Sequence, residues 1–453
     1  MPTTSCVPQL DLEIAPGRAV RLTFDAPATS SDAGWLLLRQ VDDARATTAG
    51  LAAVLHDDRA ADRVAHTTAA LVRQRVFQIA AGYVDANDAT TLRHDPLLRL
   101  VCGRAADGPP LASQPTLSRL ETAASWRDVV RAQRAHEARW AAGLDPAATR
   151  VVLDVDGTDD PTHGQQELAG FNGFYGTTML APLLVFDDAG ALASARLRGG
   201  AQHGHQFAGP LLERLIHAAH ARCPRATIVV RGDAVFSHTA IVNRLLALHA
   251  ALGCVELRLG VTPNAAIQRG AGAACAEARA RVPLYGGTAR YYDWITYQAE
   301  PWAAALPVVV RAEVHADGRT DLRAVVYTGA ALEARVAYDA EYAPRGDAEN
   351  RIKDFKRALG ADRLSCHGFV ANALRLQLHA AAYELLHALR ARVVAATPAA
   401  PRPQFDTLRR RLLQVAATVR TTARRTWLAL PAAFPAAALF RTLAAAGVAP
   451  APH

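Results

Sequence analysis

Arg150-Val-Val-Leu-Asp-Val-Asp156 and Ala226-Thr-Ile-Val-Val-Arg-Gly-Asp233 decide how this chain is read. Each is a β-branched, apolar run that ends in a carboxylate, the pattern of a strand buried within a sheet. Between them, a strand across residues 174–186 turns through Asp187-Asp-Ala-Gly190 into another at 191–197, and a helix over 207–222 leads to the second run. A helix over 239–252 and the strand Val255-Glu-Leu-Arg-Leu259 follow. Hairpin-linked strands followed by helix-crossed ones predict a mixed α/β sheet.

A third acid lies far downstream, in Tyr342-Ala-Pro-Arg-Gly-Asp-Ala-Glu-Asn-Arg-Ile-Lys-Asp-Phe-Lys356. This segment holds both lysines of the chain, Lys353 and Lys356, against 48 arginines in the chain as a whole. At about 100° per residue, Arg345, Glu349, Ile352 and Lys356 share one helical face, with Lys353 turned about 80° from Arg345. As structure alone, the pattern is a solvated face with ion pairs, and an Asp after a strand is a helix cap. As chemistry, one carboxylate between two cations suits an enzyme that acts on a phosphodiester. If the strands bearing Asp156 and Asp233 are neighbours and the helix lays Glu349 across them, three like charges raise one another's pKa. Two Mg2+ or Mn2+ ions resolve that repulsion, and supply the chemistry of an in-line displacement. Asp154 shares the strand face of Asp156 by period-two alternation, and is the reserve for the first acid.

Composition agrees with a polyanionic partner. The 453 residues are 51% hydrophobic, enough for a globular core, and carry a net charge of +8, almost all of it on arginine. Six cysteines (Cys6, Cys102, Cys223, Cys254, Cys275 and Cys366) show no paired spacing, which indicates neither a zinc site nor a disulfide framework and suits a reducing cytosol. Met-Pro-Thr-Thr-Ser-Cys-Val-Pro at the start lacks the charged and apolar regions of a secretory leader, and no long uninterrupted apolar run suggests a membrane span.

Leu153-Asp-Val-Asp-Gly-Thr-Asp-Asp-Pro-Thr-His-Gly-Gln-Gln166, Arg231-Gly-Asp233 and Tyr342-x-x-Arg345-x-x-x-Glu349-x-x-x-x-x-x-Lys356 resemble the signatures of DDE transposases of bacterial insertion sequences, the last being the Y-R-E-K pattern. Gly82-Tyr-Val-Asp-Ala-Asn-Asp88, Leu92-Arg-His-Asp-Pro96 and Ser113-Gln-Pro-Thr-Leu-Ser-Arg119 are similar to one such group, so the resemblance covers nearly the whole chain. It implies an RNase H-like core with a β-rich insertion and a cut-and-paste reaction at transposon ends. Asp156, Asp233 and Glu349 would be the metal ligands, and Tyr342, Arg345 and Lys356 the phosphate contacts. The chain departs from the pattern at the second aspartate, where Arg231-Gly-Asp-Ala-Val-Phe236 replaces an Arg-Ala-Asp-Ser-Gly-Phe-like string.

The expected organisation is a mainly helical DNA-binding domain over 1–148, the first part of the core over 149–259, the β-rich insertion over 260–338, the Glu-bearing second part over 339–396, and a Pro-rich linker with a basic tail over 397–453. Arg409, Arg410 and Arg411 in that tail are candidate phosphate contacts. Trp302 and Trp294 in the insertion are candidates to stack on a base flipped out at the transposon end, though packing within the insertion is the role the sequence favours for each. His203 and His205 read as loop histidines, and His163 as a possible substrate neighbour. The expected partners are double-stranded DNA, as transposon ends and target, and a second copy of the chain in the DNA complex, with a cytoplasmic, nucleoid-associated, bacterial setting and no membrane. A transposase-derived DNA-binding protein without cleavage, and a cellular nuclease of RNase H-like fold, are the competing readings.

Overall fold

The computed structural model describes residues 10–15 and 18–446, so Cys6 and the opening stretch tested for a leader lie outside the described residues. The chain divides into two compact units. The larger comprises Thr47–Arg59 and Arg119–His387, and the smaller the described parts of 1–46, 60–118 and 388–453.

The larger unit is built on an eight-stranded sheet. Its strands are β1 (Arg150–Gly157), β2 (Leu183–Phe186), β3 (Leu192–Arg196), β4 (Thr227–Gly232), β5 (Val255–Val261), β6 (Ala289–Tyr297), β7 (Leu306–Val314) and β8 (Thr320–Tyr327), in the order β6-β7-β8-β5-β4-β1-β2-β3. β1, β2 and β3 pair antiparallel, whereas β4 lies parallel to both β1 and β5. The order 3-2-1-4-5 with that mixture of directions is the RNase H-like core. The helices α1 (Trp126–Ala142), α2 (Ala208–Arg222) and α3 (Thr239–Leu252) supply Trp140, Leu211, Leu212, Leu215, Ile241, Val242 and Leu245 to a core shared with Val151, Leu153 and Val155 of β1 and Ile228 and Val230 of β4. Alternation along β1 sends those three apolar residues to one face, and Asp154 and Asp156 to the other.

Residues 260–338 carry three long strands, and differ from the expected insertion in how they begin. β8 pairs antiparallel with β5, and β7 and β6 follow in turn, so these strands widen the core sheet. Val308, Val309 and Val310 are all buried, which a strand covered on both faces requires. The segment before them is helical, Ala265–Gly270 and then α4 (Gly272–Tyr285), because Asn264 caps the first turn with two backbone bonds. Gly270, Gly272 and Pro283 disguise it as turn.

Between β1 and β2 a small sheet of Asp160–Pro161, Thr177–Leu180 and Gly170–Asn172 forms a flap whose aromatic residues Phe171 and Phe174 stand in solvent. After β8, a π turn, a 3-10 turn and α5 (Asp347–Lys353) lead through a second π turn, Asp354–Ala358, to α6 (Phe369–Ala396).

The smaller unit holds the helices Trp35–Arg45, Thr68–Ala81 and Pro96–Val101, behind an opening hairpin, Leu10–Ala15 with Arg18–Leu22. Trp35 is fully buried and stacks on Tyr83, whose hydroxyl donates to Asp32 at 2.8 Å. The expected basic tail is folded into this unit. Ala417–Thr421 pairs with Thr426–Ala429 and with Thr29–Ser30, and Ala33 and Gly34 donate to the carbonyls of Val415 and Leu413. Alternating Ala417 and Val419 are buried, which supplies the apolar anchor a loose tail would lack. Among the described residues no helix is long and apolar enough to cross a membrane.

Candidate active site

The parallel pairing of β1 with β4 sets Val155 opposite Gly232, so the residues that follow, Asp156 and Asp233, emerge side by side at one end of the sheet. Gly232 permits the close fit of this corner: a side chain there would meet the Phe236 ring at 2.9 Å and Val155 at 3.1 Å. That contact accounts for the Gly in the departing Arg231-Gly-Asp-Ala-Val-Phe236 string.

Asp156 Oδ1 accepts from the Gly157 N–H at 2.8 Å, and Oδ2 lies 3.5 Å from Arg345 Nη1. Burial, then Asp233, pushes Asp156 up to about 7 against the pull of Arg345, and Glu349 adds to the push. Asp233 is raised by burial as well, while its Oδ1 caps the following turn through the Val235 N–H at 3.0 Å. The capping and functional readings of Asp233 thus coexist, since one oxygen caps and the other remains for the site. α5 carries Glu349 into the same cleft. The cleft, about 510 Å3, is bordered by Asp156, Asp233, Arg345, Glu349, Lys353 and Lys356 among others. Lys353 reaches it together with Lys356 because it lies one helical turn past Glu349 and three residues before Lys356, and both spacings share a helical face.

Arg345 lies within the range of three partners. Burial lowers its pKa, but Tyr342, Asp156 and Asp233 raise it further than burial lowers it. Tyr342 is held protonated by burial, and its hydroxyl fills the space that a side chain at Gly260 would need. Lys356 Nζ is 2.7 Å from Asp159 and 4.0 Å from Asp362, so two carboxylates hold it at the rim. Neighbouring Asp160 is buried and pushed up to about 8.

Asp154 has a different environment. It is fully buried and accepts from Arg231 Nε and Nη2 at 2.6 and 2.8 Å and from Arg351 Nη1 at 2.9 Å. A carboxylate enclosed by two guanidinium groups is a structural ion pair, and it does not border the cleft. The sequence left Asp154 open because period two puts it on the same face as Asp156. Arg231 and Arg351, two cations from elsewhere in the chain, separate them.

The tryptophan candidates lie away from the acids. Trp302 is a correction: it is buried in the core against Tyr297, where no base can reach its ring. Trp294 packs edge-on to Tyr327, with its Nε1 donating to the Leu332 carbonyl. In the smaller unit Arg409 is also buried, bonded to the Ala80 carbonyl and Asp406, and Arg410 and Arg411 are exposed. His203, His205 and His238 stack face to face, the last two with centroids 3.7 Å apart, an arrangement of planes and not of converging ring nitrogens. A separate trio, Glu313, His315 and Asp321, has the spacing of a metal site, but Arg290 and Arg311 already neutralise Glu313. Sequence reasoning missed Tyr175, Phe174 and Arg198 beside the acids. The Gly-rich aromatic string Gly170-Phe-Asn-Gly-Phe-Tyr-Gly176, directly after the first acid, was the available signal.

Convergent carboxylates on an RNase H-like sheet, rimmed by cations, are the arrangement expected of an enzyme of the DDE class. The model of the family described as transposase DDE domain group 1 matches residues 12–447, and the chain belongs to that family. It is a DNA transposase by that membership. No curated protein matches it. Among solved structures, a cryo-EM structure of a piggyBac transposase synaptic complex with hairpin DNA is similar at 11% identity and a TM-score of 0.41, over 83% of this chain and 78% of that one. A likeness that distant adds nothing to the family match and the strand order.

Proposed function

We propose that the protein cuts double-stranded DNA at the terminal inverted repeats of a transposon and joins the freed 3′-hydroxyl to target DNA, with Asp156, Asp233 and Glu349 as its catalytic acids. The observation that carries this reading is the convergence of three carboxylates on one cleft, where burial first and Asp233 second push Asp156 up to about 7 with Arg345 beside it. Hard carboxylate oxygens with too little positive charge nearby fit divalent cations, Mg2+ or Mn2+, in a pair. Bound there, the ions would activate the attacking oxygen and stabilise the leaving one.

The chain's own residues do the positioning. Arg345 stands beside Asp156, where its planar fork suits the phosphate being attacked. The Tyr342 hydroxyl, kept protonated by burial, accepts a hydrogen bond from Arg345 and so orients its guanidinium. Lys356, released from Asp159 by a competing phosphate, would hold the strand at the cleft rim. Asp233 keeps its carboxylate aimed by the bond to the Val235 N–H. Cutting two ends in one complex calls for two copies of the chain.

The test is strand transfer. Labelled DNA from the ends of the element that encodes the protein, mixed with Mg2+ and supercoiled plasmid, is expected to yield end DNA joined to plasmid through its 3′-hydroxyl. Cut ends with no joined product would reduce the activity to a nuclease, and binding without cutting would leave a DNA-binding descendant.

A further inference from the structure

Arg198, just past β3, is 2% exposed and has no carboxylate partner among the described residues. Its Nε donates to the Ala181 carbonyl at 2.9 Å, and Nη1 to the carbonyls of His203, Gly204 and Gln206. Four neutral carbonyls fix the guanidinium without cancelling its charge, and burial pulls its pKa down to about 10. A buried cation without an anion is costly. Nη2 meets no acceptor among the described residues. It lies beneath Gly157, where a side chain would come within 3.2 Å of it. There it faces a slot of about 170 Å3, whose walls include Asn172, Tyr175 and Gln202 together with Asp156 and Asp233. The Tyr175 hydroxyl makes one long bond, 3.4 Å to the Gly157 carbonyl, and burial followed by Asp156 pushes its pKa up to about 12, so it remains a donor.

The slot and the acidic cleft share Asp156, Gly157, Thr158, Phe174, Tyr175 and Asp233 as walls, so one opens into the other. A ligand that spans both must carry anionic groups in series. We propose that the slot is a second phosphate site, in which Arg198 Nη2 and the Tyr175 hydroxyl bind the DNA backbone phosphate next to the one that is cut. Gly157 is part of the site because any side chain there crowds Nη2. The proposal rests on the reading of the cleft as a DNA-cutting centre.

Two measurements test it. In the first, end DNA carrying one neutral methylphosphonate at a time around the cut is bound in Ca2+, and the affinity profile is read by anisotropy. Wild type is expected to lose about ten-fold at one phosphate adjacent to the scissile one, and Tyr175→Phe and Arg198→Lys to lose that sensitivity at that position alone. Profiles that coincide for wild type and both variants overturn the proposal. Tyr175→Phe is the variant that keeps the carbonyl cage intact if Arg198→Lys folds poorly. The second measurement needs no DNA. Inorganic phosphate, against chloride at equal ionic strength, is expected to raise the melting temperature of wild type more than that of Tyr175→Phe, and an equal rise removes the slot as an anion site. If wild type fails to cut end DNA in Mg2+ while phosphate still distinguishes the variants, the transposase reading fails and the anion site stands.

Discussion

At the scale of single residues, Asp154 and Asp156 show how two identical side chains on one strand face acquire opposite roles. Asp154 compensates Arg231 and Arg351 in the interior, and removing one partner of a buried ion pair costs about 3–5 kcal/mol. Asp154→Asn is therefore expected to lower thermal stability severely at every pH at which the protein folds. Asp156 is the reverse case. Its carboxyl titrates near 7 when folded and near 4 when unfolded, so the folded chain binds the proton more tightly. That contribution to stability is full below pH 4 and is lost as pH rises through 7. In EDTA, Asp156→Asn should melt higher than wild type at pH 8, by a few kcal/mol at most, with the gap closing toward pH 4. A variant that melts lower than wild type at pH 8 would show that the carboxylate is not frustrated. The lysines allow a further comparison. Lys356 bonds to Asp159 and borders the acids, whereas Lys353 is exposed at the rim. Lys356→Ala should slow cleavage at fixed salt by ten-fold or more, and Lys353→Ala by clearly less; equal losses would assign both the same role.

Among the elements, the strands with a plain pattern were legible in advance. β1, β4 and β5 and the helix α3 lie within a residue or two of where alternation and apolar spacing put them, because each is covered by one continuous core. The placement of Asp156 and Asp233 side by side was legible for the same reason, since a strand end is a fixed position once the strand is known. In the segment 260–338 the strands were legible and the helices at 265–285 were not, because Gly270, Gly272 and Pro283 give a helix the composition of a turn. Beyond the Pro-rich stretch, short strands give too few residues for periodicity to register, and a folded region passes for a tail. Arg409 illustrates the consequence. With its guanidinium buried against Ala80, Arg409→Gln is expected to destabilise the protein and leave the salt dependence of DNA binding unchanged. Exposed Arg410 and Arg411, replaced together by Gln, should flatten the slope of log affinity against log salt by up to about 1.8 if both grip backbone phosphates. An unchanged slope in a salt series on end and random DNA would remove this turn from the DNA surface.

For the whole molecule, family membership, sheet order and the crowded acids converge on one activity. The fold places two acids by the register of β1 and β4 and the third on the short helix α5, so all three border one cleft. The excess of basic over acidic residues, +8 in net charge, suits a polyanion. The most direct test of the central claim is cleavage of labelled end DNA in Mg2+ by wild type and by Asp156→Asn, Asp233→Asn and Glu349→Gln, with end binding measured in parallel. Wild type is expected to cut at the element's termini, and each variant to lose cleavage by a thousand-fold or more while binding the same DNA within a few-fold. Cleavage that persists in any one of the three variants would contradict the assignment of that residue, and persistence in all three would contradict the account.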